Sequence, residues 1–370
     1  MVKKKRDFFF KNFYLGFLNP KVVIQRKEGA TTTTTTKARR LRKATTTTTM
    51  PTTTLMSSSS TSSSGWLVAV AIAVQYVFLL FFFPFSRPKR FIGETRNASR
   101  VIRIRFGMQT ISCVVGWTIA CAWFDTNTKG KGRPGSTINV ARMVFFAGEN
   151  DDDDAFKGSA VDVFTDACFG ALVTGVVYFG PLMSLLIRYA REEESTVDAF
   201  QYLFGHHNEN KERFGALVPI RDVLLAPFFE EFIFRGVLLT VLLGRRHGTR
   251  EDDGVSIAAA IYISPLLFGL AHINHYFGLR KVYGHAKALQ SVAFQFIYTT
   301  LFGVLAGTAF YRCKAGLAGA WSLHASMNAF GVPDFRPFRT PLGLVNGIER
   351  LCYVAGVVGA YAFVKSRIVV

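Results

Sequence analysis

Long apolar runs, separated by short polar and charged stretches, are the main pattern in this sequence. Beyond residue 64 the runs reach about 20 residues with almost no charge, the length that a helix needs to cross a bilayer. They lie at about residues 66–85, 106–124, 161–187, 215–243, 255–277, 287–311, 315–332 and 340–364. This pattern predicts an all-α, polytopic membrane protein of about eight transmembrane helices, with a kink at Pro181 in the third.

The first 64 residues have the opposite character. Threonine tracts at Thr31–Thr36 and Thr45–Thr49 precede a serine-rich run at Ser57–Ser64, and the segment holds thirteen Lys and Arg residues against two acids. Such a stretch has too little apolar surface to offset its chain entropy, so we expect a disordered basic tail over residues 1–64. Its composition suits a cytosolic tail attracted to anionic lipid, and it also suits an organelle transit peptide.

The overall charge does not indicate a nucleic-acid partner. The chain carries 44 Lys and Arg against 25 Asp and Glu, a net charge of +19. However, 49% of its residues are hydrophobic and only 19% are charged, below the roughly 25% usual in soluble domains. The apolar residues are too many and too clustered for a nucleic-acid-binding protein, so we expect the lipid bilayer as the partner and no nucleic acid.

Ionisable residues inside the apolar runs are the candidates for function, because charge near the bilayer centre is costly. One group is Glu230, Glu231 and Arg235, just after Pro227. Glu231 and Arg235 are four residues apart, so on a helix they share a face and can pair. Glu230 is rotated by about 100° from Glu231, which leaves it pointing elsewhere. A purely structural ion cluster is the alternative interpretation of this group.

Two further apolar runs each carry a pair of polar side chains. His272 and His275 are three residues apart, and His324 and Asn328 are four apart, so each pair shares a helix face. With a free carboxylate, these groups could activate water by general-base catalysis and stabilise an oxyanion. A histidine in an apolar segment also serves as a hydrogen-bonded core residue, and that alternative stays open.

Other hydrolytic chemistries have weaker support in the sequence. It contains no G-x-S-x-G motif, and no cysteine lies beside a histidine, which disfavours serine or cysteine catalysis. Zinc ligation by His272, His324 and a glutamate stays open. Against it, the H-E-x-x-H spacing is absent and asparagine is a poor zinc ligand.

Taken together, the three groups resemble the CPBP family of intramembrane proteases, whose motifs are EExxxR, FxxxH and HxxxN on successive transmembrane helices. The matching positions, in the same order, are Glu230-Glu231-x-x-x-Arg235, Phe268-x-x-x-His272 and His324-x-x-x-Asn328. The eukaryotic branch, the type II CAAX prenyl endopeptidases (Ras-converting enzymes), is similar over further stretches. These are Val223–Pro227, Phe268–His272 with His275, and Ala293–Gly303.

The resemblance covers about residues 215–335 and implies a domain division. Residues 65–370 would be the transmembrane domain, with N-terminal helices and loops at 65–213, a protease core at 214–335 and a C-terminal helix at 336–370. It also implies a multi-pass protein of the endoplasmic reticulum membrane. The implied substrates are farnesylated or geranylgeranylated CAAX proteins, such as small GTPases, and no cofactor or metal is implied.

The resemblance also implies roles for individual residues. The enzyme would cut after the prenylated cysteine and release the last three residues of the substrate. Glu230 would be the general base, assisted by His272, while His324 and Asn328 would stabilise the oxyanion. The supporting residues would be Glu231, Arg235, His275 and Phe268.

Two other functions stay open at this point. One is a CPBP-type protease of the plastid or bacterial kind, which acts on non-prenylated substrates and would suit a transit peptide at the N-terminus. The other is a non-enzymatic membrane scaffold or transporter, in which the Glu, Arg and His side chains line a pathway.

Overall fold

The structure, a computed structural model, is helical throughout the part that it describes. The described residues are 59–82, 99–128, 137–146, 159–191, 215, 217–243, 255–331, 333, 336–338, 341 and 343–366. Helices joined by turns make up these segments, and no strand occurs in them. The prediction of an all-α protein is therefore confirmed for the described residues.

We number the helices in chain order. In the N-terminal half they are α1 (Ser59–Val77, continued by a π-helical turn at Phe78–Phe82), α2 (Ser99–Thr128), α3 (Thr137–Phe145), α4 (Ala160–Val177) and α5 (Phe179–Ala190). In the C-terminal half they are α6 (217–243), α7 (Ile257–Ala271), α8 (His275–Tyr283), α9 (His285–Arg312), α10 (Gly316–Phe330) and α11 (Leu344–Ser366). A short 3₁₀ turn lies at Arg336–Phe338.

The prediction of about eight transmembrane helices is not confirmed. Within the described residues, four helices are long and apolar enough to cross a membrane, namely α2, α4, α9 and α11. A fifth crossing arises if α7 and α8, which meet at a 47° bend, form one broken span. Of the other apolar runs, α10 has 15 residues, fewer than the roughly 20 that a crossing needs, and α6 is interrupted by ionisable residues.

The first helix begins earlier than the apolar pattern predicts. Residues 1–58 of the expected tail lie outside the described residues. Ser59–Ser64, the last part of that tail, form the first turns of α1, so these six residues are helical and not disordered as expected. Serine and threonine have only moderately lower helix propensity than alanine, so the following apolar residues can propagate a helix back through them.

The third apolar run is interrupted close to the predicted kink. The run separates into α4 and α5 at Tyr178, three residues before Pro181. Proline has no N–H to donate to the carbonyl of residue 177, and its ring crowds that carbonyl, so the regular ladder breaks there. Glycine allows α11 to pack closely beside this break. A Cβ added at Gly180 would lie 2.4 Å from the Cα of Tyr353.

Helix α10 packs against α4, α6 and α9, which places its polar residues inside the protein. Small residues let α4 and α10 approach, because a Cβ at Gly170 would lie 2.3 Å from the carbonyl oxygen of Gly319. The buried Asp166 of α4 accepts a hydrogen bond of 2.7 Å from the backbone N–H of Ala315, at the start of α10. These contacts fix α10 relative to α4.

Candidate active site

Helix α6 holds the first group of polar residues in two different environments. The Glu231 side chain is fully buried, and Arg235 Nη1 donates to its Oε1 over 3.1 Å. The Glu230 side chain, by contrast, is 22% exposed. The expected pairing of Glu231 with Arg235 is therefore confirmed, and Glu230 is the carboxylate that can meet water.

Two π-helical segments flank the glutamates on α6. They span Ile220–Leu225 and Phe232–Leu239. In a π-helix the hydrogen bonds run from residue i to i+5, which shifts the side-chain register, and such segments are frequent at functional sites. Side chains of α10 bind carbonyl groups of the first segment. Asn328 Nδ2 donates to Asp222 O over 2.9 Å, and Trp321 Nε1 donates to Leu224 O over 3.0 Å.

His324 of α10 lies between the two glutamates. Its Nδ1 is 2.7 Å from Glu231 Oε1, and its Nε2 is 3.9 Å from Glu230 Oε2. Because an ionised carboxylate can only accept, Nδ1 is the donor in the shorter contact. The hydrogen bond to Glu231 therefore fixes the ring orientation and directs Nε2 toward Glu230.

His272 is the C-cap residue of α7, at the bend before α8. Its Nδ1 lies 2.9 Å from the carbonyl oxygen of Phe268. A carbonyl has no hydrogen to give, so Nδ1 must carry the proton, and in the neutral ring Nε2 is an acceptor. His275 follows on α8, with its ring centroid 5.7 Å from that of His272 and its Nδ1 2.9 Å from Gln295 Oε1.

The buried ring of Phe268 contacts residues from all three motifs. The Arg235 guanidinium carbon lies 4.4 Å from the Phe268 ring centroid, in the range of a cation–π contact. The Phe268 centroid is 4.9 Å from that of His272 and 6.2 Å from that of His324. Phe268 thus links α6, α7 and α10, and it brings the two histidines to the same cluster.

Two buried polar atoms in this cluster lack a protein partner. Within the described residues, neither Glu231 Oε2 nor Arg235 Nη2 makes a hydrogen bond. Burying an unsatisfied polar group costs free energy, more so when it is charged, and a bound water can supply the missing bond. Within the described residues, no three His, Cys, Asp or Glu side chains lie close enough together to hold a metal ion.

Some neighbours of this cluster were not predicted from the sequence. Phe302 lies 4.6 Å from the His324 ring and 5.6 Å from the Arg235 guanidinium carbon. Tyr76 of α1 is buried within electrostatic reach of Glu230. Phe302 lies inside the family-like stretch Ala293–Gly303 but has no special chemistry. Tyr76 could have been noticed in the sequence because Gln75 and Tyr76 are adjacent polar residues inside an otherwise apolar run.

Comparison with known proteins matches this part of the chain to a protein family. The family model described as type II CAAX prenyl endopeptidase Rce1-like matches residues 213–330, which include α6 to α10 and the whole polar cluster on them. Residues 213–330 therefore form an Rce1-like CAAX prenyl endopeptidase domain. The protein is a hydrolase of the CAAX prenyl endopeptidase type, and its apolar helices fit a membrane protein.

Similar proteins named as CAAX prenyl proteases occur in several organisms. The probable CAAX prenyl protease 2 of Schizosaccharomyces pombe is 26% identical over 275 residues, covering 72% of this chain and 81% of that protein. The CAAX prenyl protease 2 of Arabidopsis thaliana is 32% identical over 38% of this chain and 40% of its own length. The Homo sapiens protein of that name is 27% identical over 49% of this chain and 53% of its own length. No solved structure matches the chain significantly.

Proposed function

We propose that this Rce1-like protein removes the last three residues of prenylated CAAX proteins within the membrane, by glutamate-activated attack of water. The observation that carries the proposal is the position of Glu230. Its partly exposed carboxylate lies 3.9 Å from His324 Nε2, inside the segment that matches the family model. A carboxylate that meets water beside a fixed imidazole has the geometry of a general base.

In the first step, Glu230 accepts a proton from water as the water oxygen attacks the carbonyl carbon of the prenylated cysteine. His272 assists from α7, where its Nε2 lone pair can orient the same water. The His272 ring is held by the bond from its Nδ1 to Phe268 O at 2.9 Å. Placing the water between two acceptors limits its freedom, which lowers the barrier to attack.

The oxyanion that forms would be stabilised by donors on α10. Asn328 uses one N–H on Asp222 O at 2.9 Å, and its carboxamide has a second N–H that can bind the oxyanion. His324, with Nδ1 donating to Glu231, can donate from Nε2 in its imidazolium form. Each such donor contributes about 10²- to 10³-fold to the rate in comparable sites.

Collapse of the tetrahedral intermediate then completes the reaction. The bond from the carbonyl carbon to the amide nitrogen breaks, and Glu230 returns its proton to the leaving amine. The products are the prenylated cysteine with a free carboxylate and a tripeptide with a free amine. Glu231 and Arg235 take no part in proton transfer. They hold His324 in place through Glu231 Oε1, which accepts from both side chains.

The membrane setting suits a prenylated substrate. Burial of a lipid chain in the bilayer contributes about 0.8 kcal/mol per methylene, so farnesyl or geranylgeranyl groups concentrate CAAX proteins beside the enzyme. Small GTPases are the class of substrate that we propose. We also propose the endoplasmic reticulum membrane as the location and a multi-pass arrangement of the apolar helices.

The test uses two CAAX peptides that differ only in the farnesyl group. Membranes containing the protein should cleave the farnesylated peptide after its cysteine and leave the unprenylated peptide intact. Glu230→Gln, an isosteric change at a partly exposed side chain, should abolish cleavage while the protein still inserts with normal yield. Cleavage of both peptides would indicate a protease that does not need prenylation. Cleavage of neither would indicate a scaffold or transporter, and an active Glu230→Gln variant would reassign the base.

A further inference from the structure

A polar cluster lies between α1 and α2, outside the segment that matches the family model. Tyr76 and Gln109 are 2% and 6% exposed, and Gln109 Nε2 donates to Tyr76 Oη over 3.4 Å. Arg105, which is half-buried, precedes Gln109 by one helical turn and so shares its face of α2. Arg105 is also within electrostatic reach of Tyr76.

This cluster lies beside the face of α6 that carries Glu230. The Tyr76 ring packs edge-on against Phe234, with 5.6 Å between centroids, and Phe234 lies about one turn beyond Glu230. Next to Arg105 on α2, Phe106 contacts Phe229, with 6.4 Å between their ring centroids. The Glu230 carboxylate also acts electrostatically on Tyr76. The cluster therefore lies next to the part of α6 that carries Glu230.

The three side chains have one chemical property in common, which is that they can donate hydrogen bonds. A guanidinium carries five N–H groups in a planar fork that matches a carboxylate, and phenol and carboxamide groups add further donors. A donor-rich, positively charged cluster beside Glu230 is suited to an anion supplied by the substrate.

We propose that Arg105, Gln109 and Tyr76 form the subsite that binds the terminal carboxylate of the CAAX sequence. This inference rests on the proposed function, since only a C-terminal substrate brings a carboxylate to this pocket. Three extended residues span about 10 Å, so that carboxylate must be bound near Glu230 but out of contact with it. The Glu230 carboxylate repels this anion and the Arg105 guanidinium attracts it, so both charges favour binding next to Arg105. The subsite would distinguish a chain terminus from an internal sequence.

The test compares two farnesylated CAAX peptides, one ending in a free carboxylate and the other in a carboxamide. The wild-type protein should cleave the acid with a kcat/KM about tenfold or more above that of the amide, as expected for a charge-assisted hydrogen bond. In Arg105→Gln, the kcat/KM of the acid should fall to that of the amide, while the amide is cleaved as by wild type. Tyr76→Phe, which keeps the ring, should lower the acid preference in part.

Two matched variants control for charge and packing. Arg103→Gln removes an exposed positive charge from the same helix, two residues from Arg105. Ser112→Ala removes one hydrogen bond between the same two helices, the 3.1 Å contact from Ser112 Oγ to Gln75 Oε1. Both should keep the wild-type preference for the acid.

Three results would overturn the subsite. Equal cleavage of acid and amide by wild type would show that no carboxylate is recognised. An equal loss on both peptides in Arg105→Gln and Tyr76→Phe would mean that the cluster positions Glu230 instead. Cleavage of neither peptide by wild type would overturn the proposed function and the subsite with it.

Discussion

Arg235 offers a direct test of the buried ion pair, because its removal leaves Glu231 without its counter-charge. Arg235→Met retains an apolar, unbranched side chain in place of the arginine's methylene stem but removes the guanidinium. The variant loses the 3.1 Å bond to Glu231 Oε1 and the contacts with the rings of Phe268 and Phe302. Within the described residues, the fully buried Glu231 carboxylate then has His324 as its one remaining hydrogen-bond partner.

The magnitude follows from these contacts. At 3.1 Å and an effective dielectric constant of about 20, two unit charges attract by about 5 kcal/mol. The cation–π contacts add about 0.5–2 kcal/mol, and the methionine avoids the cost of burying a guanidinium. The remaining bond to His324 compensates part of the loss. We expect Arg235→Met to lower the free energy of unfolding by about 3–5 kcal/mol, as found when one partner of a buried pair is removed.

The assay is thermal unfolding of the purified protein in detergent, with cleavage of the farnesylated CAAX peptide measured on the same samples. The companion variant is Arg235→Met with Glu231→Gln, which removes both charges. Since neutral side chains cost far less to bury, this double variant should regain most of the lost stability. Its activity should stay low, because a glutamine cannot hold His324 as the carboxylate does.

Two outcomes would refute the argument. Wild-type unfolding and cleavage in Arg235→Met would mean that the pair contributes nothing to the fold or to the position of His324. A double variant no more stable than the single one would mean that the loss came from packing around the arginine and not from a stranded charge.

Three further results are expected. Gly303→Ala should lower the free energy of unfolding by about 1–3 kcal/mol and reduce cleavage, because the added Cβ would lie 2.6 Å from Pro265 Cβ and 3.1 Å from Arg235 Nη2. Thermal unfolding and peptide cleavage would measure both effects. Unchanged values would mean that α9 can shift to accommodate the methyl group. Asn328→Ala should lower kcat about 10²- to 10³-fold, with less effect on KM, because the second N–H of Asn328 binds the oxyanion. An effect on KM alone would mean that Asn328 serves only to bind the carbonyl group of Asp222. Prolonged treatment with a strong chelator should leave cleavage unchanged, whereas inactivation reversed by zinc would require a metal in the mechanism.

The sequence could predict the helices whose signals are local. The lengths of the apolar runs predicted α2, α9 and α11, and Pro181 predicted an interruption close to the break between α4 and α5. Helix α8 was not anticipated, because Arg280 and Lys281 interrupt the apolar run that ends near residue 277. Gly284, at a φ of +80°, separates α8 from α9, in a conformation that glycine adopts without strain.

The candidate site was predictable only where its contacts lie within one helix. The spacing of Glu231 and Arg235 determined that they could pair. The position of His324 between two glutamates 93 and 94 residues earlier depends on how α10 crosses α6, which no spacing encodes. The same holds for the π-helical segment at Ile220–Leu225, whose carbonyl groups bind side chains of α10.

The two adjacent glutamates have different surroundings because α10 approaches α6 from one side. Glu231 faces the interior, where Arg235 and His324 share its Oε1. Glu230, one residue earlier and about 100° around the helix, faces the partly open side of His324. A single carboxylate could not be both a permanent hydrogen-bond acceptor for His324 and a base that gains and loses a proton. The fold therefore separates the two tasks, so His324 stays fixed by Glu231 while Glu230 changes its protonation state.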